Sequence, residues 1–281
     1  MDTASKNKEK AVSRSTAAPS PLGQLETLID MLKQSGRGIV PIRKTFVQQG
    51  ERGNRVPGPL ATFVSTHDQR ALDAYLFVHA LASAEPWNCD YPAGMWVRAL
   101  GLADAAEPAS ARSAVSKVMK RLEDRQLISR NRAGRKASIT LLKEDGSGDP
   151  YEHPHKAGDG DNWLQLPHAY WLEEFHQSLS LPAKAMLLVA LSLPDGFPLP
   201  ADRVPKWYGI SADSAERGLR ELRKAGVLDV DEQWVKNAKS ETGWTQERHY
   251  TLDEPFSSTA RKKAAATDRR GRRGRATGGE P

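Results

Sequence analysis

Apolar residues that return every three or four positions mark most of the helices expected in this chain. Leu25, Leu28, Ile29 and Leu32 make a short stripe that closes near Gly36. From Asp68 the run QRALDAYLFVHALASA is apolar on most of its circumference, through Leu72, Tyr75, Leu76, Val78 and Leu81. A helix of that kind is buried, with Asp68 as its N-cap and His79 as a core histidine. The loop EPWNCDYP then precedes a shorter helix near 93–100, and GLADAAEPA leads into SARSAVSKVMKRLEDRQLI. In that last run Ser110 is placed to cap the helix, and Val115, Val118, Met119 and Leu122 form its inward stripe. Leu127 and Ile128 begin a hairpin that turns at Ala133–Gly134 and returns through the alternating run SITL.

The same order recurs about a hundred residues later. WLQLPHAYWLEEFHQSL reads as a short strand and a helix. Ser180 caps LPAKAMLLVALSL, which is apolar nearly all round, with Pro182 in its first turn. DRVPKWYG forms a short helix, Gly209–Ile210 a turn, and Ser211 caps ADSAERGLRELRKAG. Ala215, Leu219 and Leu222 face inward there, Gly218 permits close packing, and Gly226 ends the helix. A long hairpin from Asp229 to Leu252 follows, with Trp234, Trp244 and Tyr250 expected to complete its core. Between 37 and 67 two β-like runs, GIVPI and TFVQQ, are followed by the turn-rich ERGNRVPGP and by LATFV, and the segment fits either a basic arm or an edge strand.

These patterns divide the 281 residues into six stretches. Residues 1–22 are an expected disordered tail, 23–67 a helix and arm, 68–145 a first unit and 146–162 a Gly/Pro-rich acidic linker. Residues 163–256 are a second unit, and 257–281 an expected disordered basic tail.

Charge separates the two units. From Ser110 to Lys136 nine Lys/Arg stand against Glu123 and Asp124, a net of +7. The whole chain is +6, but residues 257–281 supply eight Lys/Arg against two acids, so the other 33 bases and 33 acids cancel. The local cluster is therefore the informative one. Clustered cations release counterions from double-stranded DNA, and small side chains on an exposed helix face admit close approach to base edges. The candidate DNA contacts are Arg112, Ser113, Ser116, Lys117 and Lys120 on the helix, with Arg130, Asn131, Arg132, Arg135 and Lys136 on the hairpin. Between Ser211 and His249 seven bases meet eight acids, a net of −1. There Ser214 and Arg217 are weaker DNA candidates, and a homodimer or protein-partner surface is the other reading.

Other chemistry is sparse. Cys89 is the only cysteine, which excludes an internal disulfide and fits a reducing compartment. No Walker loop, G-x-S-x-G, Cys-x-x-Cys or HExxH motif is present, so no enzyme and no cofactor is expected. His153 and His155 lie near Asp159 and Asp161, but without ligand spacing for a metal site. The start MDTASKNKEK has no apolar segment behind it, and no apolar run reaches the ~20 residues of a membrane span. A cytoplasmic, nucleoid-associated protein is the expectation.

The segment GISADSAERGLRELRKAGVL resembles the helix-turn-helix core of GntR-type winged-helix regulators, and SARSAVSKVMKRLEDRQLI is similar to the equivalent part of MarR-type proteins. The tandem layout resembles that of plasmid replication initiators. The resemblance implies a mainly α chain with small β-hairpin wings, built of two tandem winged helix-turn-helix domains with disordered basic termini. It implies sequence-specific binding of double-stranded DNA in replication initiation or transcription regulation. Two non-identical units in one chain lean toward an initiator, whereas the nine residues Gly101–Ala109 make a long connection for a helix-turn-helix. The alternative is a protein-interaction scaffold of tandem winged helices that meets DNA only through its basic tail.

Overall fold

The computed structural model describes residues 22–51, 53–103, 107–133, 136–154 and 163–276. Among them eleven helices and ten short strands make a mixed α/β fold with small antiparallel sheets.

Helix α1 (Gln24–Ser35) begins where Glu26 accepts the Gly23 N–H and ends at Gly36, whose φ of 63° is the left-handed C-cap that glycine adopts without strain. Strand β1 (Ile39–Arg43), a 3-10 turn, β2 (Gln48–Gln49), β3 (Val56–Pro57) and α2 (Leu60–Ser65) follow. The first repeating unit is α3 (Gln69–Leu81), β4 (Asn88–Cys89), α4 (Ala93–Ala99), α5 (Pro108–Asp124), β5 (Ile128–Ala133) and β6 (Lys136–Leu141). Strand β7 (Trp163–Pro167) and short helices α6 (Ala169–Leu172) and α7 (Phe175–Ser178) lead to the second. It comprises α8 (Leu181–Leu191), β8 (Phe197–Pro198), α9 (Val204–Tyr208), α10 (Ala212–Lys224), β9 (Leu228–Lys236) and β10 (Trp244–Leu252). Helix α11 (Ser258–Ala276) is last.

Each unit reads helix, strand, helix, helix, hairpin, and each closes a three-stranded antiparallel sheet in the same order, β4-β6-β5 and β8-β10-β9. Local chemistry sets the helix starts. The Asp68 carboxylate accepts the Ala71 N–H, Ser180 the Ala183 N–H and Ser211 the Ser214 N–H. The expected cap at Ser110 is displaced. Helix α5 starts three residues earlier, with Glu107 at the cap position, because Pro108 already holds a helical φ at its first position.

Residues outside the two units are bound into the same core. All five residues of β1 are buried, and β1 pairs antiparallel with β7 from Ile39↔Pro167 to Arg43↔Trp163. Gly209, at φ 65°, closes α9 so tightly that an added Cβ would lie 2.6 Å from that of Ala61. Residues 143–154, which span the end of the first unit and the start of the expected linker, fold back through the Leu142↔Pro150 bridge and bury Glu144 and Tyr151.

The expectation of a disordered C-terminal tail is corrected: residues 258–276 are helical. Its alanines have the highest intrinsic helix propensity, and their lack of bulk leaves no apolar stripe to read. Asp268 ties this helix to the body, accepting the N–H groups of Gly38 at 2.7 Å and Ile39 at 3.2 Å. The expected N-terminal tail, 1–22, lies almost wholly outside the described residues.

Helices α8 and α10 pack at Gly218, where a Cβ would stand 2.5 Å from the Pro182 carbonyl oxygen. Gly218→Ala is expected to cost about 1–3 kcal/mol through that overlap, read as a shift in the urea midpoint at unchanged slope.

Charged groups sit inside this core with partners. Arg43 donates from Nη1 to Glu144 at 2.8 Å and from its backbone N–H at 3.0 Å, and Glu144 is wholly buried. Lys184 donates to both Asp73 carboxylate oxygens at 2.7 Å and to the His176 carbonyl at 2.6 Å. His79 stacks edge-on against Tyr75 and Tyr151. Burial first, then the charges of Arg37 and Arg43, lower its pKa from 6.5 to about 3. Burial also lowers His168 and His176 to about 4, assisted by Arg37 and Lys184 respectively.

All three folded values lie below the unfolded one, so the unfolded chain binds more protons between them. The stability from neutral histidine is complete above pH 6.5 and is lost as pH falls toward 4. Each histidine contributes up to about 1.4 kcal/mol per pH unit inside that window. Urea titrations at pH 7, 6 and 5 are expected to show this decline, with a shallower slope in His79→Phe. Equal slopes in the two proteins contradict the assignment to His79.

Candidate nucleic-acid interface

Helix α5 divides its side chains as the stripe requires. Ala111, Val115, Val118, Met119 and Leu122 are buried, and Arg112, Ser113, Ser116, Lys117 and Lys120 are exposed. Ser113, Ser116, Lys117, Lys120, Arg121 and Arg130 line one open groove where α5 meets the start of β5. Among the described residues Arg112 and Lys117 make no ion pair, whereas Lys120 pairs with Asp124 one turn on. That exposed pair contributes little and breaks readily for a phosphate.

The helix is held in place by a clamp that sequence reasoning missed. Arg121 donates to the two Asp68 oxygens at 2.8 and 2.9 Å, and Arg125 approaches the same carboxylate at 2.8 Å. Burial works to raise the Asp68 pKa, but the hydrogen bonds and charges of both arginines outweigh it and hold it low. Asp68 thus caps α3 and docks α5 on it. No local pattern marks a pair 53 residues apart.

Arg130, one of the candidate DNA contacts, is engaged within the chain. Its Nε and Nη2 donate to Glu123 at 3.0 and 2.6 Å, and Nη1 donates to the Ser116 carbonyl at 3.3 Å. The Arg130 hydrogen bond is the leading cause of a lowered Glu123 pKa. Its charge is therefore largely neutralised, and it braces the hairpin against α5. Asn131 is exposed on β5. Arg132 and Lys136 stand near the hairpin tip on β5 and β6, paired with Ala137 and Ala133. Their side chains, with all of Gly134 and Arg135, lie outside the described residues.

No protein-family model matches the chain, and no curated protein or solved structure matches it. The assignment of this face rests on its own chemistry.

The second unit presents a different surface. Ser214 Oγ accepts from Arg217 at 3.2 Å and meets the Ser211 hydroxyl at 2.9 Å. Arg217 also pairs with Asp213, and Arg220 with Glu216, so this helix face is balanced within itself. The expectation that three wing aromatics complete the core is corrected for two of them. Tyr250 is buried, but Trp234 is 66% and Trp244 45% exposed. The β9–β10 register explains the difference. Tyr250 pairs with Val230 over the core, whereas Trp234 pairs with Gln246 and Trp244 with Lys236, beyond its edge. Lys236 lies 5.8 Å above the Trp244 ring.

Among the described residues no cluster of His, Cys, Asp or Glu is arranged to hold a metal, and His155, Asp159 and Asp161 lie outside them. His153 packs 5.7 Å from the Trp87 ring. Cys89 is buried, and burial foremost pushes its thiol up to about 12, which makes it a poor nucleophile. No helix among the described residues is long and apolar enough to cross a membrane.

Proposed function

We propose that the chain binds double-stranded DNA in a sequence-specific manner through two winged helices in tandem, as a replication initiator or transcription regulator. The observation that carries this reading is the exposed face of α5. It sets two serines between unpaired or loosely paired cations, with Arg130 of the adjoining strand on the same groove. A helix with small polar side chains enters a major groove, and a basic hairpin follows the phosphates. The repeated order of elements and the matching β4-β6-β5 and β8-β10-β9 sheets support a winged helix in each unit. Location with the nucleoid is a consequence of this reading.

In this account the first unit supplies most of the affinity and the second adds reach or a partner. Trp234 and Trp244 on an acidic wing favour a protein contact there, either a second copy or another protein. A salt series with the full-length chain on duplex DNA tests the main reading. Log affinity is expected to fall with log salt at a slope of about −4 to −6, reflecting five or so displaced phosphate counterions. A slope near zero rejects it.

A further inference from the structure

The two units run in step at an offset of 100 residues where helix meets hairpin. At the end of α5 the backbone N–H groups of Arg125, Gln126 and Leu127 donate to the carbonyls of Arg121, Glu123 and Leu122. At the end of α10 those of Ala225, Gly226 and Val227 donate to Glu221, Arg223 and Leu222. The strands that follow start at Ile128 and Leu228. Matching positions are therefore two solutions of one helix–hairpin join.

One polar contact is kept in both. Asp68, the cap of α3, holds Arg121, and Ser180, the cap of α8, donates to Glu221 at 2.5 Å from its hydroxyl and 2.7 Å from its backbone N–H. The polarity is reversed but the place is the same, so this docking is a requirement of the fold. The Glu123–Arg130 brace is not. Its counterparts are Arg223 and Val230, and the second unit joins helix to hairpin without it.

The brace also sits on the candidate DNA face. Glu123 lies two helical turns from Ser116 on the same side of α5. It accepts the backbone N–H of Arg130 at 3.3 Å as well as Nε and Nη2. Arg130 lines the α5 groove, yet its charge is matched by this acid and its Nη1 is held on the Ser116 carbonyl. An acid among cations costs affinity for a polyanion, and charge-assisted bonds of this kind fix the strand that leaves the helix.

We propose that Glu123 is a positioning residue that sets sequence discrimination: it withholds the Arg130 charge from phosphate and holds the hairpin in one attitude against α5. Bulk duplex, bound by charge alone, is then held weakly, whereas a matched site meets a hairpin already in place. This inference rests on the DNA-binding reading.

The test follows the full-length chain by fluorescence anisotropy over a salt series, on the duplex motif it selects and on a scrambled duplex of equal length. Glu123→Gln is expected to bind the scrambled duplex about tenfold more tightly at moderate salt, with a slope steeper by about one, because an acid is gone and a guanidinium is free for phosphate. Affinity for the motif is expected to stay within about twofold, since loss of the brace offsets the added charge, so the ratio of the two affinities falls at least about fivefold. Glu123→Gln/Arg130→Gln removes the freed cation as well. Its slope is expected to return to that of the parent while the ratio stays low, which separates charge from placement. An unchanged ratio or an unchanged slope in Glu123→Gln overturns the inference. So do equal losses on both duplexes with a lowered melting temperature, which mark a merely structural role. A parent chain that selects no motif, or shows no salt slope, fails the DNA-binding reading and this inference with it.

Discussion

Reversing Lys117 and Lys120 to glutamate together is expected to weaken duplex binding by at least about 100-fold at moderate salt. Each lysine removed loses a phosphate contact, and each glutamate adds repulsion where an attraction stood. Both side chains are exposed on α5, and Lys117 has no acidic partner among the described residues. Lys120 gives up a surface pair with Asp124 and a weaker attraction to Glu123, both exposed to solvent, so the fold keeps its stability within about 1 kcal/mol. Fluorescence anisotropy on a labelled duplex, with circular dichroism as the folding control, reads both quantities. Arg130 is a poorer target, since its reversal also breaks the brace to Glu123 and conflates hairpin placement with phosphate contact. Retained affinity in the Lys117→Glu/Lys120→Glu chain removes α5 from the interface.

Glu144→Ala is expected to cost about 1.5–3 kcal/mol of folding stability, because it removes a wholly buried carboxylate that accepts from both the side chain and the backbone N–H of Arg43. Arg43 is 5% exposed, lies 5.5 Å from the Tyr151 ring, and donates to this carboxylate from both its side chain and its backbone N–H. The effect reaches beyond residue 144, since Arg43 ends β1 opposite Trp163 of β7, where the segments flanking the first unit meet. The paired change Arg43→Met/Glu144→Met is expected to cost less than the sum of the single changes, since both single changes remove the same contact. Urea unfolding of the three variants measures this. A Glu144→Ala chain within 1 kcal/mol of the parent shows that water reaches the pair.

The contrast between these two targets explains what could be read from the chain unaided. The α5 stripe, the Asp68, Ser180 and Ser211 caps and the recurrence of one order of elements depend on neighbours within a few residues. Periodicity and side-chain chemistry report such neighbours directly. Glu144 sits at the edge of the Gly- and Asp-rich run that reads as linker, and no neighbour in sequence marks its pairing with the distant Arg43. The same holds for β1 and β7, for the Asp68 clamp on Arg121 and Arg125, and for Asp268 on the start of β1.

Site residues divide along the same line. Lys117 and Ser116 face outward as their spacing implies, because a helix face is a local property. Arg130 and Arg217 looked equally available, yet each is engaged by an acid, and for Arg130 that acid lies on another element. Trp234 and Trp244 were misplaced because a long hairpin overshoots its core, and strand alternation does not say where the core ends.

The most direct test of the central claim is selection from a random duplex pool by the full-length chain at physiological salt, repeated with the Lys117→Glu/Lys120→Glu chain. The account predicts one enriched motif for the parent, at least about 10³-fold tighter than bulk duplex, and its loss in the variant. A pool that stays random, or a motif that survives both reversals unchanged, contradicts sequence recognition by α5.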